Sequence, residues 1–231
     1  MVEKTIGILG GMGPEATADL FMRIIRATPV KRDQDHLHVI IDSNSKIPDR
    51  TPAILGTGEN PLPLLVETGK RLEKAGADLL IMPCNTAHYF HAKIQEQIGI
   101  PLLHMIRLSA DYIAEKYPKV RKAGLLASDG TIASRLYHDS YAAKGIEIIT
   151  PTAVSQKDTM DAIYKYIKIG NLEKGEELLK RVSLELIEAG ADTVLCGCTE
   201  VSIVLHDGDL SVPVVDPLQV LAEEAVKLAS A

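Results

Sequence analysis

The sequence predicts an α/β protein of two pseudo-symmetric lobes, each a four-stranded parallel sheet flanked by helices. The first observation is a repeat: residues 72–86 and 186–200 each give Ala-Gly-Ala-Asp, a short apolar run, and a cysteine six residues after the aspartate. The second is an alternation of short apolar runs with helical patterns along the chain, which is typical of parallel sheets covered by helices. The duplication favours two small sheets facing each other across a cleft, and a single doubly wound sheet is the structural alternative.

The same order of elements is predicted in both halves. Each half begins with a strand and a glycine-containing turn, at residues 5–13 and 122–130, whose glycines are six residues apart. Helices follow, and the first of them begins at Pro14, which suits a first helical turn because its missing N–H needs no partner there. Gly76 and Gly190 stand where a glycine ends a helix. The remaining predicted strands cover 38–42, 146–149, the two runs before the repeated cysteines, 100–105 and 212–216; the helices cover 14–26, 62–75, 111–119, 131–144, 172–189 and 218–228, and polar loops are expected over 43–51 and 150–158.

The lobe boundary is predicted near Ile106. Residues 1–106 with 216–231 are expected to form the N-terminal lobe, which carries Cys84. Residues 107–215 are expected to form the C-terminal lobe, which carries Cys198. The last helix is expected to return to the first lobe.

Composition excludes several classes of function. Of the 231 residues, 46% are apolar and 24% are charged, the net charge is −6, and no cluster of Lys and Arg forms a basic stripe. We therefore expect no nucleic-acid partner. No apolar run reaches the length of a membrane span, and no export signal is visible. The chain has only three cysteines, and this small and odd number argues against a disulfide framework and favours a reducing cytoplasm.

Cys84 and Cys198 are the predicted catalytic residues. Ligands of parallel α/β sheets bind beyond the carboxyl ends of the strands, which is where both cysteines stand. Asn85, Thr86 and Thr199 suit helix N-caps, and a helix start would favour both a thiolate and a substrate carboxylate. Two thiols aimed at one cleft from opposite sides can remove a proton from one face of a carbon and return one to the other.

Other candidates carry weaker signals. Cys196 has no counterpart in the first half, so packing is expected, and the Cys-x-Cys spacing is weak for zinc. The turn Gly-Gly-Met-Gly does not match a dinucleotide fingerprint, so no nicotinamide cofactor is expected. Arg50 lies on a cleft-side loop and suits a carboxylate, and Glu200 lies at the mouth of the same cleft. Lys168 is ambiguous by itself. His88, four residues after Cys84, could support the thiol, but a place at the surface or in packing is expected.

Four motifs in this order resemble those of the aspartate racemases, members of the aspartate/glutamate/hydantoin racemase superfamily. They are residues 8–14, Ile-Leu-Gly-Gly-Met-Gly-Pro; 47–51, Ile-Pro-Asp-Arg-Thr; 82–88, Met-Pro-Cys-Asn-Thr-Ala-His; and 197–201, Gly-Cys-Thr-Glu-Val. The resemblance implies a cofactor-independent racemase that interconverts L- and D-aspartate with two cysteines, usually as a homodimer and without pyridoxal phosphate or metal. It implies that Cys84 and Cys198 are catalytic, with seven substrate-binding residues: Met12, Arg50, Asn85, Thr86, Lys168, Thr199 and Glu200.

Three alternatives stay open. A racemase of the same superfamily that acts on glutamate, on a broader set of amino acids or on a hydantoin would have the same two cysteines. A two-lobed sensor that closes on an amino acid would not need paired thiols. A nucleotide-dependent oxidoreductase would bind NAD.

Overall fold

A computed structural model describes residues 3–231 and confirms an α/β protein with two parallel sheets. The chain divides into two compact units, Met1–Met105 with Leu218–Ala231 and Ile106–Pro217. Within residues 3–231, no helix is both long enough and apolar enough to cross a membrane.

The first unit contains a three-stranded parallel sheet in the order β2-β1-β3. The central strand and β3 are fully buried, whereas β2 lies at the edge and is partly exposed. This burial explains the uninterrupted apolar runs of β1 and β3. The strands are β1 (Ile6–Gly10), β2 (Val39–Ser43) and β3 (Leu79–Ile81), and the helices are α1 (Pro14–Ala27), α2 (Arg50–Ile54), α3 (Leu62–Lys74) and α4 (His91–Gln95).

The fourth strand predicted at residues 100–105 is reduced to a single bridge between Leu80 and Leu102. The Leu80 N–H donates to the carbonyl of Pro101 at 2.7 Å, and the Leu103 N–H donates to the carbonyl of Leu80 at 2.9 Å. Pro101 has no N–H to extend the ladder, and a helix begins at Met105. The pairing therefore stops after one residue, and the sheet has three strands instead of the four predicted.

The second unit contains a four-stranded parallel sheet in the order β5-β4-β6-β7, as predicted. Strand β6 is buried along its whole length, and β5 is the exposed edge. The strands are β4 (Lys122–Leu126), β5 (Glu147–Ile149), β6 (Thr193–Cys196) and β7 (Val214–Val215), and the helices are α5 (Met105–Lys116), α6 (Asp129–Ala133), α7 (Leu136–Ala142), α8 (Ala153–Asp161), α9 (Leu172–Glu188) and α10 (Val201–Val204).

Three segments of the second unit differ from prediction. The helix expected over 111–119 is α5, which begins at Met105 and ends at Lys116. The helix expected over 131–144 breaks into α6 and α7 at Arg135, whose φ of 57° is left-handed. The polar loop expected over 150–158 is largely helix α8, because the Thr152 side chain accepts a hydrogen bond from the Ser155 N–H and caps the helix. Small polar residues favour caps as well as loops, so composition alone did not distinguish the two.

The repeated aspartates tie helix ends to the first strand of each sheet. The carboxylate of Asp78 accepts a hydrogen bond from the Thr5 N–H at 2.7 Å, and the Asp78 N–H donates to the carbonyl of Thr5 at 2.8 Å. In the second unit, the carboxylate of Asp192 accepts from the N–H groups of Arg121 at 2.8 Å and Lys122 at 2.9 Å. The Asp192 N–H donates to the carbonyl of Lys122 at 2.8 Å. The Ala-Gly-Ala-Asp repeat is thus a structural connection made the same way in both units.

A glycine in the first strand of each sheet permits the close approach of this connection. A Cβ atom at Gly7 would lie 2.5 Å from Leu80 Cδ2 and 2.9 Å from Ala77 Cβ. A Cβ atom at Gly124 would lie 3.0 Å from Leu186 Cβ and 3.3 Å from the Cβ of the alanine before Asp192. Both strands can therefore lie closer to the Ala-Gly-Ala-Asp connection and its neighbours than an alanine would allow.

The last helix, α11 (Pro217–Ala229), provides most of the C-terminal part of the first unit. The Lys4 N–H donates to the carbonyl of Ala229 at 3.0 Å. Arg23 of α1 donates to the Gln219 side chain at 3.2 Å. These contacts join α11 to the residues just before β1 and to α1.

Candidate active site

Cys84 lies three residues beyond the carboxyl end of β3, at the end of the sheet where ligands of parallel α/β proteins bind. Its N–H donates to the carbonyl of Met82 at 2.9 Å, which turns the chain sharply after the strand. Its side chain is buried and belongs to the same apolar cluster as Met12. The structure thus places two of the predicted site residues of the first unit in one cluster.

His88 holds the segment that carries Cys84. Its Nδ1 lies 2.8 Å from the carbonyl oxygen of Cys84, and its Nε2 lies 3.1 Å from the Met105 N–H. Because the Met105 N–H can only donate, Nε2 accepts and Nδ1 carries the proton that it donates to Cys84. Burial lowers the pKa of His88 from 6.5 to about 4, an effect that the Cys84 bond opposes and the charge of His91 reinforces. His88 is therefore neutral at pH 7 and joins two segments, so of the two expected locations it takes the packed one.

The helix expected directly after Cys84 is a short 3-10 helix, Thr86–Phe90. Its N-cap is Asn85, whose backbone is itself helical and whose side chain makes no capping hydrogen bond. Asn85 and Thr86 are both buried. The expectation that side chains cap this helix is therefore wrong for Asn85, and a helix of five residues has only a small dipole at its start.

Arg50 is the first residue of α2 and not part of the polar loop. Its Nη1 donates to the carbonyl of Pro48 at 2.9 Å and of Ile47 at 3.4 Å. The Asp49 side chain caps α2 by accepting from the Thr51 N–H. Helix α2 contacts the 3-10 helix that follows Cys84. The structure therefore brings the helix that begins with Arg50 into contact with the helix that follows Cys84.

Met12 lies in the loop after β1, and Thr17 fixes this loop. The Thr17 hydroxyl accepts from the Gly11 N–H at 2.8 Å and donates to the carbonyl of Gly13 at 3.0 Å. Met12 is buried. No sequence signal points to Thr17 beyond its place in the first turns of the predicted helix.

In the second unit, Cys198, Glu200 and Lys168 form one hydrogen-bonded chain. Cys198 Sγ lies 2.8 Å from Glu200 Oε2, and Lys168 Nζ lies 2.5 Å from Glu200 Oε1. The Thr199 hydroxyl donates to the same Oε2 at 3.3 Å. Glu200 is only 8% exposed, whereas Cys198 is partly exposed. All four residues predicted for this half of the site are therefore in contact.

A distorted helical segment places Lys168 beside Glu200. Helix α8 continues as a single π-helical turn, Ala162–Tyr166, and then as a 3-10 turn, Ile167–Ile169. Such π-turns widen a helix and often occur at functional sites. The ammonium of Lys168 also lies 5.4 Å from the centre of the Tyr164 ring, within range of a cation–π interaction. Sequence reasoning missed Tyr164, because a π-turn has no recognisable sequence pattern.

The charges of Glu200 and Lys168 influence the protonation of Cys198 and of each other. Desolvation and then the neighbouring charge of Glu200 raise the pKa of the Cys198 thiol well above its usual range, although Lys168 opposes them. Desolvation alone would raise the pKa of Glu200, but Lys168 and the hydrogen bond from Cys198 outweigh it and lower the pKa. Desolvation would lower the pKa of Lys168, but Glu200 raises it. The expectation that a helix start favours a Cys198 thiolate is wrong, because α10 has four residues and a carboxylate contacts the sulfur.

Cys196 is fully buried in the apolar cluster beneath Cys198, with its sulfur 3.8 Å from the carbonyl oxygen of Leu205. This position agrees with the packing role predicted for it. Among residues 3–231, no group of three or more His, Cys, Asp or Glu side chains is placed to hold a metal ion.

Together, the fold and the site define an α/β protein that carries one cysteine beyond the third strand of each of two parallel sheets. The sequence profile of the Asp/Glu/hydantoin racemase family matches residues 9–225. The chain belongs to this family, whose members are isomerases, as the motifs of the sequence predicted.

Three relatives are similar over nearly the whole chain. The broad specificity amino-acid racemase RacX of Bacillus subtilis is 28% identical over 225 residues, which cover 96% of each chain. The aspartate racemase of Picrophilus torridus has 28% identity and a TM-score of 0.87, over 98% of this chain and 94% of the other. An aspartate racemase homologue from Pyrococcus horikoshii has 27% identity and a TM-score of 0.81, over 99% and 100%.

Proposed function

We propose that this protein interconverts L- and D-aspartate without a cofactor, by proton transfer between the substrate α-carbon and two cysteines. The observation that carries the proposal is the equivalent position of Cys84 and Cys198, each two or three residues beyond the third strand of its own sheet. A cysteine is often only a small buried apolar residue. Here two cysteines lie at equivalent positions in a duplicated fold, and the chain belongs to a family of racemases. Both facts favour a catalytic role over a packing role.

In the proposed reaction, the thiolate of one cysteine takes the α-proton and the thiol of the other returns a proton to the opposite face. In the reverse direction the two cysteines exchange these roles. The electron pair left on the α-carbon needs stabilisation, since an α-proton beside a carboxylate is a very weak acid. Positive charge and polar N–H groups held in a site with little water supply such stabilisation, and Arg50 is the cation that we assign to it.

Aspartate is the substrate that we favour, because an aspartate racemase and an aspartate racemase homologue are among the structures similar to this chain over nearly its whole length. A broader set of amino acids is the second candidate, because RacX is similar over the same length. The two candidates differ in how strictly the side-chain carboxylate is required. A racemase that requires this carboxylate should be inactive on alanine, whereas a broad one should not.

The test is to incubate the purified protein with single enantiomers of aspartate, glutamate and alanine, without added cofactor, and to follow the products by chiral chromatography. We expect racemisation of aspartate in both directions. Cys84→Ser and Cys198→Ser should each abolish racemisation, because each removes one of the two proton-carrying groups. Cys196→Ala, which changes a buried thiol outside the proposed reaction, is the matched control and should retain activity.

A second measurement tests the two-base mechanism directly. In deuterated water, each serine variant should exchange the α-proton of one enantiomer only, and the two variants should differ in which enantiomer they exchange. Full racemase activity in either variant would exclude the mechanism. Inactivity of the unmodified protein on every amino acid would exclude the function.

A further inference from the structure

The contacts of Glu200 connect it to the reacting thiol and give it a role beyond substrate binding. Each of its oxygens has a defined neighbour: Oε1 accepts from Lys168 Nζ at 2.5 Å, and Oε2 lies 2.8 Å from Cys198 Sγ. The carboxylate is nearly buried and its cation is only partly exposed. An ion pair that is shielded from water is held more firmly than one at the surface, so the orientation of the carboxylate toward the sulfur is fixed.

We infer that Glu200, held by Lys168, is a positioning residue that keeps the proton on Cys198, so that the free protein carries this residue as a thiol. A carboxylate can only accept a hydrogen bond, so the group that contacts it must carry a proton. A thiolate at the same place would put two negative charges within 2.8 Å, which low-dielectric surroundings make costly. The geometry therefore favours S–H over S⁻ whenever Glu200 is ionised.

The other ionisable groups of this unit near the sulfur do not change this conclusion. Lys168 is the nearby cation, and Glu200 lies between it and Cys198. Burial, and after it the charge of Tyr141, raise the pKa of Tyr137 well above its usual range, and Cys196, Asp216 and Cys198 add to this shift, so Tyr137 is a neutral phenol near pH 7. Asp216 accepts a hydrogen bond from the Ser202 hydroxyl at 2.8 Å.

The consequence for catalysis rests on the proposed function. When Cys198 gives its proton to the α-carbon, the S–H bond breaks, the C–H bond forms, and the sulfur keeps the electron pair as a thiolate. In the reverse direction this thiolate takes the α-proton and becomes a thiol again. Glu200 gains and loses no proton in either step. Its charge makes the thiolate a stronger base and makes the thiol the resting form.

The test measures the thiol and not the reaction. The full-length protein is alkylated with iodoacetamide across a range of pH, and modification at Cys198 is quantified by tandem mass spectrometry, which separates it from Cys196. Because only the thiolate reacts, the rate reports the ionised fraction. Glu200→Gln should move the pH midpoint down and raise the rate at pH 7 by about tenfold or more, the change that one pKa unit produces.

Lys168→Met should move the midpoint in the opposite direction, because it removes the cation, and Lys168→Arg should restore it. Glu177→Gln is the matched control: it removes a glutamate from an exposed Lys–Glu pair of the same unit and should leave the midpoint unchanged. A purely structural role for Glu200 would leave the midpoint of Cys198 unchanged in the folded Glu200→Gln variant.

An unchanged or raised midpoint in Glu200→Gln would overturn the inference. If that variant does not fold, Glu200→Asp, which draws the carboxylate back from the sulfur by one methylene, takes its place, and an unchanged or raised midpoint there would overturn the inference. If the midpoints shift as expected in a protein that racemises no amino acid, the proposed function fails and the inference about Cys198 stands.

Discussion

Replacing His88 should change how the free energy of unfolding depends on pH more than it changes its value at pH 7. His88 is 1% exposed, and its ring nitrogens bond the carbonyl of Cys84 and the N–H of Met105. The unfolded chain takes up a proton at this residue as the pH falls through 6.5, whereas the folded protein resists protonation until about pH 4. Protonation therefore favours unfolding, and the stability that the neutral ring contributes above pH 6.5 is lost between pH 6.5 and 4.

The size of this loss follows from the pKa difference. A shift of one pKa unit corresponds to about 1.4 kcal/mol, so the fall from 6.5 to about 4 corresponds to roughly 3 kcal/mol in the free energy of unfolding. His88→Gln removes the titration. It also loses hydrogen bonds with a well-fitted ring, at a cost of about 1–3 kcal/mol that does not depend on pH. The variant should therefore be less stable at pH 7, and the difference should shrink as the pH falls.

The assay is urea denaturation followed by circular dichroism at several pH values between 7 and 4.5. The unmodified protein should lose stability more steeply than His88→Gln over this range. His38→Gln is the matched control in the same unit, because His38 is exposed, and its pH dependence should follow that of the unmodified protein. Parallel slopes for the unmodified protein and His88→Gln would refute the reasoning.

Two further predictions concern the repeated connection. Asp192→Asn should destabilise the protein by about 1 kcal/mol at pH 7, a low value because the carboxylate is exposed. Hydrogen bonds from the Arg121 and Lys122 N–H groups lower the pKa of Asp192, so the effect of the substitution should begin to shrink only as the pH falls below about 4 and should be lost below the pKa of the folded state. Equal losses at pH 7 and pH 3 in urea denaturation would contradict this. Gly7→Ala should cost about 1–3 kcal/mol, because its Cβ would lie 2.5 Å from Leu80 Cδ2 and 2.9 Å from Ala77 Cβ. An unchanged thermal midpoint for Gly7→Ala would show that these neighbours can move away freely.

The central elements were predictable because their signals are local. The buried strands β1, β3 and β6 are uninterrupted apolar runs, and helices α1, α3 and α9 begin within a residue of the predicted positions. An apolar period of 3.6 or an apolar run comes directly from burial on one side or on both. These elements therefore follow from residues that are neighbours along the chain.

The errors occurred where the apolar pattern does not decide the structure. The strand expected at residues 100–105 ends after one bridge because a proline precedes Leu102 and a helix begins at Met105. Arg135 adopts a left-handed conformation that its residue type rarely takes. Neither outcome changes the apolar period of the sequence, so that period did not predict it.

The sequence by itself determined the duplication, the place of Cys84 and Cys198 after equivalent strands, and the family. The tertiary structure alone decided the chemical state of the second cysteine. Lys168 and Glu200 are 32 residues apart, and only folding brings their side chains together and then against the sulfur of Cys198. The pKa of a thiol depends on which charges surround it and how much water remains, and that depends on the folded chain and not on the order of its residues.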